Sequence, residues 1–180
     1  MIETATSACS VALIEGDSVI AEQSAVVGRG HAERLLPMIA TLPDGGKADI
    51  IWVDCGPGSF TGIRVGIAAA RALGFGWQVP VHGFSSLALL AATWFRDNVD
   101  DVVTVVTEGG HGEVFVQPFR REPFAEIATL VSVARGSLIV HGSVTGTDAP
   151  QARNAVLLGQ AHLAARPIYG RAPDAKPMAA

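Results

Sequence analysis

The chain has 180 residues, of which 49% are hydrophobic and 6% aromatic, and its 13 basic and 17 acidic side chains give a formal net charge of −4. A chain of this length and apolar content buries roughly two-thirds of its unfolded surface, enough for one domain or two small lobes, which excludes intrinsic disorder. Its scattered Lys and Arg exclude a nucleic-acid footprint on this subunit alone, because neutralising phosphates takes clustered cations.

Residues 1–25 read as strands turning at Glu15-Gly16-Asp17, with 10–14 and 19–24 as a hairpin. After Gly28-Arg29-Gly30, the positions Leu35, Leu36, Ile39 and Leu42 fall at helical spacing and predict a helix over 31–42, which Pro37 either kinks or enters in its first ordered turn. Residues 50–53 are short, apolar and β-branched, the pattern of a strand buried on both faces. A helix from about 61 to 74, a strand at 79–81 and a helix over 86–95 with Ser85 as N-cap follow. The polar run 96–101 marks the lobe boundary and divides the chain into 1–97 and 98–180. Beyond it the expected elements are strands at 102–106, 113–119 and 138–141 and a helix over about 151–165. No basic leader with an apolar core opens the sequence and no run of about 18 apolar residues occurs, so a cytoplasmic location is expected. Cys9 and Cys55 fit that compartment as small buried hydrophobes.

The stretch Gly56-Pro57-Gly58-Ser59-Phe60-Thr61-Gly62-Ile63-Arg64-Val65-Gly66 joins the 50–53 strand to the next helix. Unpaired N–H groups at a helix start suit a phosphate, a carboxylate or a close protein neighbour. The common nucleotide and hydrolase motifs do not fit. No Lys precedes a Ser or Thr as in a Walker loop, Gly62 lies four residues after Gly58 where the dinucleotide fingerprint needs three, and Pro57 stands where an esterase elbow has Gly. Ser59 is either a helix cap or a nucleophile with some activation from the helix terminus. Gly62 and Gly66, continued by Ala69, Ala70 and Leu73, leave one helix face nearly bare. That face packs on the chain's own sheet, or else a second stripe of Ile63, Ile67 and Ala70 joins Leu35, Leu36 and Ile39 in an apolar patch for a partner's helices. His31, His82, His111, His141 and His162 include no pair four residues apart, so no H-x-x-x-H metal pair exists.

The glycine-rich segment GPGSFTGIRVG closely resembles the hallmark of the TsaB family of bacterial tRNA threonylcarbamoyladenosine biosynthesis proteins, within the actin-like, sugar-kinase and heat-shock ATPase superfamily. IETATSACSVAL, GRGHAERLLPMI, VPVHGFSSLALLA, GEVFVQPF and PIYGRAPDAKP agree in the same order, so the resemblance covers most of the chain. It implies an α/β actin-like (ribonuclease H-like) fold of two small lobes with mixed sheets flanked by helices. It also implies pairing through the two helices above, with a TsaD-like catalytic paralogue or with a second copy when alone. A TsaE-like small ATPase completes the family's assembly, and tRNA enters only through the complex. The chain would then be a non-catalytic scaffold without cofactor or metal.

Actin-like ATPases place carboxylates near a magnesium-bound phosphate through two acidic loops. Here the first reads Ile2-Glu3-Thr4-Ala5-Thr6, with Glu3 for Asp and Ala5 for Gly. The second reads Thr107-Glu108-Gly109-Gly110-His111-Gly112-Glu113, where TsaB relatives usually have Asp-Ala-Arg-Arg-Gly-Glu-Val. Both loops are degenerate, which counts against a stand-alone acyl-phosphate or sugar kinase. The alternative is a small hydrolase or peptidase with Ser59 or Cys55 as nucleophile. Relatives usually carry a few more apolar residues ahead of Ile2, so a short, frayed first strand is expected.

Overall fold

The computed structural model describes residues 1–140, 142–145, 150–158 and 163–170. Short strand β1 (Ile2–Glu3) leads into the hairpin β2 (Ala8–Glu15) and β3 (Ser18–Val26), then helix α1 (His31–Ala40). Strand β4 (Ile51–Asp54), helix α2 (Phe60–Trp77), strand β5 (Val81–Phe84) and helix α3 (Ser86–Asp97) follow. The second half contributes β6 (Val102–Gly110), β7 (Glu113–Arg120), β8 (Ala125–Glu126), β9 (Val131–Ala134), β10 (Val144–Thr145) and β11 (Leu163–Ala164).

The strands form two mixed sheets. The first has the order β11-β5-β4-β1-β2-β3, with β1, β4 and β5 mutually parallel. The second runs β10-β6-β7-β8, with β9 also on β7. One face of the first sheet is covered by α1 and α2, whose Leu35, Ile39, Ile63, Ile67 and Ala70 pack with Val11 and Val53. On the other face Trp52 and Phe84 meet Leu89 and Ala92 of α3 and Ala155 and Leu158 of a 3-10 turn, Ala152–Leu158. The opposite side of α3 buries Leu87, Leu90, Ala91 and Phe95 against Val103, Val105, Phe115 and Phe119 of the second sheet. Helix α3 is therefore shared by both sheets. The expected division at 97/98 separates the sheets along the chain, whereas 152–158 and 163–164 return to the first sheet.

Several expected elements shift for local reasons. Pro37 lies inside α1 rather than in its first turn. The strand expected at 79–81 begins at Val81, because the Val79 amide donates to the Gly74 carbonyl at the end of α2 and left-handed Gln78 (φ 58°) caps that helix. Ser85 caps α3, its hydroxyl accepting from the Ala88 amide at 3.4 Å. Residues 138–140 are not a strand; Ile139 is 82% exposed and the ladder beside β6 goes to β10 instead. His141 lies outside the described residues. The helix expected over 151–165 is a 3-10 turn at Ala152–Leu158 and a strand at Leu163–Ala164, with 159–162 outside the described residues. Its apolar side chains serve two different neighbours, the α3 side of the first sheet and β5, which one straight helix does not reach.

Candidate functional site

Strand β4 ends in the glycine loop. Ser59 caps α2, its Oγ accepting from the Gly62 amide at 3.2 Å, and its own amide donates to the Ala5 carbonyl at 2.6 Å. A Cβ at Gly58 would collide with the Ala5 carbonyl, one at Gly62 with the Thr4 carbonyl, and one at Gly66 with Thr4 Oγ1. Thr4 Oγ1 in turn donates to the Gly62 carbonyl at 2.8 Å. The glycines of the loop and of the first turns of α2 thus admit the backbone of 2–6. Of the three occupants such a terminus suits, a close protein neighbour is present, supplied by the chain itself. Gly56, with φ 93°, is a position where a side chain would be strained.

The nucleophile candidates sit in inert surroundings. Ser59 Oγ is engaged as the cap. Cys55 is fully buried, and desolvation pushes its thiol up to about 11, so the thiolate is not available near neutrality. Cys9, also buried, is pushed up to about 11 for the same reason.

The first acidic loop is turned inward. Glu3 is fully buried, with Oε1 accepting from the Ala5 amide (2.9 Å) and the Thr6 amide (3.3 Å) and Oε2 from Ser10 Oγ (3.4 Å). Beside it lies a second carboxyl that sequence reasoning missed. Asp54, fully buried at the end of β4, accepts on Oδ1 from the Gly56 amide (2.7 Å) and Ser86 Oγ (2.6 Å), while its Oδ2 is buried without a partner among the described residues. The available signal was an acid closing an otherwise apolar strand. Glu108 of the second loop is exposed on β6 and ion-paired with Arg135. Among the described residues no cluster of three His, Cys, Asp or Glu side chains could hold a metal. His31 contacts the Ala8 carbonyl at 3.0 Å, and His162 lies outside the described residues.

The apolar stripe read as a partner surface needs correction. Leu35, Ile39, Ile63, Ile67 and Ala70 are all buried in the chain's own core, as are Gly62 and Gly66, because α2 lays its glycine face on β1 and β4. Of that set Leu36 is exposed, at 51%. The outward face of α2 carries Phe60, Arg64, Ala68, Ala72 and Phe75. At its start the Arg64 guanidinium lies 3.6 Å over the Phe60 ring, its Nε donates to the Tyr169 hydroxyl at 3.1 Å, and the two rings stack at 5.4 Å. Tyr169 is held there because the Ile168 amide donates to the Cys55 carbonyl at 2.7 Å.

A family model described as TsaD, tRNA N6-adenosine threonylcarbamoyltransferase, matches residues 18–150. The chain belongs to the TsaD family. Within it the chain is TsaB/YeaZ-like. It is 33% identical over 126 residues to the tRNA threonylcarbamoyladenosine biosynthesis protein TsaB of Escherichia coli K12, an alignment covering 67% of this chain and 54% of that protein. It is 35% identical over 127 residues to TsaB of Haemophilus influenzae, covering 67% and 53%. The chain spans about half the length of these curated relatives. Among solved structures, YeaZ from Pseudomonas aeruginosa superposes with a TM-score of 0.80 at 26% identity, over 93% of this chain and 97% of that one. The fold is accordingly the α/β, actin-like type with two sheets flanked by helices. No helix among the described residues is long and apolar enough to cross a membrane.

Proposed function

We propose that this TsaB-like chain is a non-catalytic activating subunit in tRNA threonylcarbamoyladenosine biosynthesis, acting by binding a TsaD-like catalytic paralogue. The observation that carries the reading is the self-filled glycine loop. The start of α2, which would suit a phosphate or a carboxylate, is met by the chain's own backbone at Thr4 and Ala5, and Glu3 spends its oxygens on the chain's own amides and on Ser10. The transfer of the threonylcarbamoyl group, with its metal and adenylate, then belongs to the paralogue. A TsaE-like small ATPase would join the larger assembly in the cytoplasm, with tRNA reaching this chain only through the complex.

The partner surface in this reading is the outward side of α1 and α2, running from Leu36 to the exposed stripe of α2, and it would also serve a homodimer. Small side chains in the middle of the stripe let a facing helix approach, and the Phe60-Arg64-Tyr169 cluster supplies the aromatic and arginine anchors that dominate binding energies. Co-purification with the TsaD-like protein of the same cell, followed by the native mass of the complex, tests the proposal. Absence of a complex sinks it. Labelling of Ser59 or Cys55 by an activity-based probe would instead support the hydrolase reading.

A further inference from the structure

The register of the first sheet sets Ser10, Glu3 and Asp54 in one row. Glu3 lies opposite Ser10 in the antiparallel β1–β2 pair, and because Ile2 lies opposite Val53 in the parallel β1–β4 pair, Asp54 comes next to Glu3. Residues that neighbour across strands project to the same face. Asp54 in turn lies opposite Phe84, so this is the face covered by α3 and the Ala152–Leu158 turn. The row is a seam. Ser10 Oγ, besides reaching Glu3, accepts the Ala152 amide at 2.9 Å, and Asp54 ties Gly56 of the glycine loop to Ser86 at the start of α3.

Both carboxyls are fully buried, and among the described residues none of their hydrogen-bond donors is a cation. The buried Met1 amino group, at the start of the chain beside β1, donates to the Ala12 carbonyl at 2.8 Å and is held down to about 5 by burial, so it brings no positive charge to the pair near neutrality. His31 of α1 contacts the Ala8 carbonyl, Arg34 lies nearer the Cys9 thiol, Arg71 of α2 donates to the Ala165 carbonyl near Cys55, and His82 of β5 stands opposite Trp52. Arg153 of the 3-10 turn pairs with Glu22. Two ionised carboxylates on adjacent strands, stripped of water and without a countercharge, repel strongly.

We propose that Glu3 and Asp54 hold one proton between them and form a pH-sensitive latch joining β1, the glycine loop and α3, which opens when that proton is lost to solvent. Burial is the leading cause that raises both groups, Glu3 well above the carboxylate range with the Asp54 charge adding to it, and Asp54 to about 7. The proton belongs to the pair rather than to either residue. The orphaned Asp54 Oδ2 is the atom at which it costs no existing hydrogen bond.

The folded chain keeps a proton that the unfolded chain, with ordinary carboxyls at about 4, releases. Stability from the latch is therefore complete below that range, declines as pH rises toward about 7, and is gone above the folded value. Where one proton is released on unfolding, the unfolding constant grows about tenfold per pH unit. Two measurements on the full chain test this. Infrared difference spectra near neutrality should show a protonated carboxyl stretch that the Glu3→Gln/Asp54→Asn double variant lacks. Denaturant titrations across the window should give a stability that falls more steeply with pH in the unsubstituted chain than in Asp54→Asn, by up to about tenfold in the unfolding constant per pH unit, with Asp54→Asn gaining at the alkaline end; the difference is read because the Met1 amino group, at about 5 in the folded chain, shifts stability the opposite way in both chains. No protonated carboxyl at neutral pH, or an unchanged slope in Asp54→Asn, overturns the latch; the infrared measurement needs only the unsubstituted chain and decides even if a variant fails to fold.

Discussion

A methyl group at Gly62 has no room, because the Thr4 carbonyl it would strike belongs to backbone wedged between β2 and β4. Gly62→Ala should therefore destabilise by about 1–3 kcal/mol, the usual cost of overpacking, measured by urea unfolding. Gly76, in the same helix with nothing within 4 Å of where a methyl group would stand, is the contrast. Gly76→Ala should stabilise by up to about 1 kcal/mol, since only helix propensity and unfolded-state entropy change there. Equal effects at the two positions would mean that the glycines serve flexibility rather than close approach. The sequence carried the need for a tight loop at Gly56 to Gly66 but not its occupant, because 2–6 and the loop meet only through the parallel pairing of β1 with β4. The same distance in sequence hid Asp54 as the neighbour of Glu3.

Helix α2 shows why the face of an element is harder to read than its existence. Its apolar spacing places the helix within a few residues of Phe60–Trp77, yet a helix rich in Ala and Gly has apolar residues on every side, and periodicity does not tell the inward stripe from the outward one. Burial settles it: Ile67 faces the core and Ala68 faces out. Ile67→Glu, which a surface reading would make a clean interface probe, should instead cost about 3 kcal/mol or more by burying an unpaired charge, and circular dichroism should record loss of fold. Ala68→Arg should leave stability within about 0.5 kcal/mol, as exposed helix positions do, and abolish pairing with the TsaD-like partner in a pull-down. Pairing that survives Ala68→Arg would move the proposed interface off α2. The short elements were the least legible. Residues 138–140 are apolar enough for a strand but Ile139 is left exposed while the β6 edge is taken by β10, and the neighbours of 152–158 come from β2 and α3.

At the scale of the molecule, α3 is shared by the cores of both sheets, and the two should therefore unfold as one cooperative unit. It gives Leu89 and Ala92 to the first sheet and Leu87, Leu90, Ala91 and Phe95 to the second, so neither sheet has a complete core without it. The segment 163–170 adds a second tie: β11 pairs with β5, Arg71 donates to the Ala165 carbonyl, and a Cβ at Gly170 would press on the Phe115 ring of β7. On that expectation the parts 1–97 and 98–180 do not fold alone, since a truncation at 97/98 would strip the second sheet of its covering helix. Leu89→Ala tests this, because its side chain packs on the first sheet only. It should cost about 2–5 kcal/mol, the range for a fully buried leucine. Native-state hydrogen exchange should show that cost in the most protected amides of β4 and β7 alike, since both sheets open in the same global event. Loss of protection in β4 with β7 unchanged would show autonomous lobes, and would make 98–180 a separable unit after all.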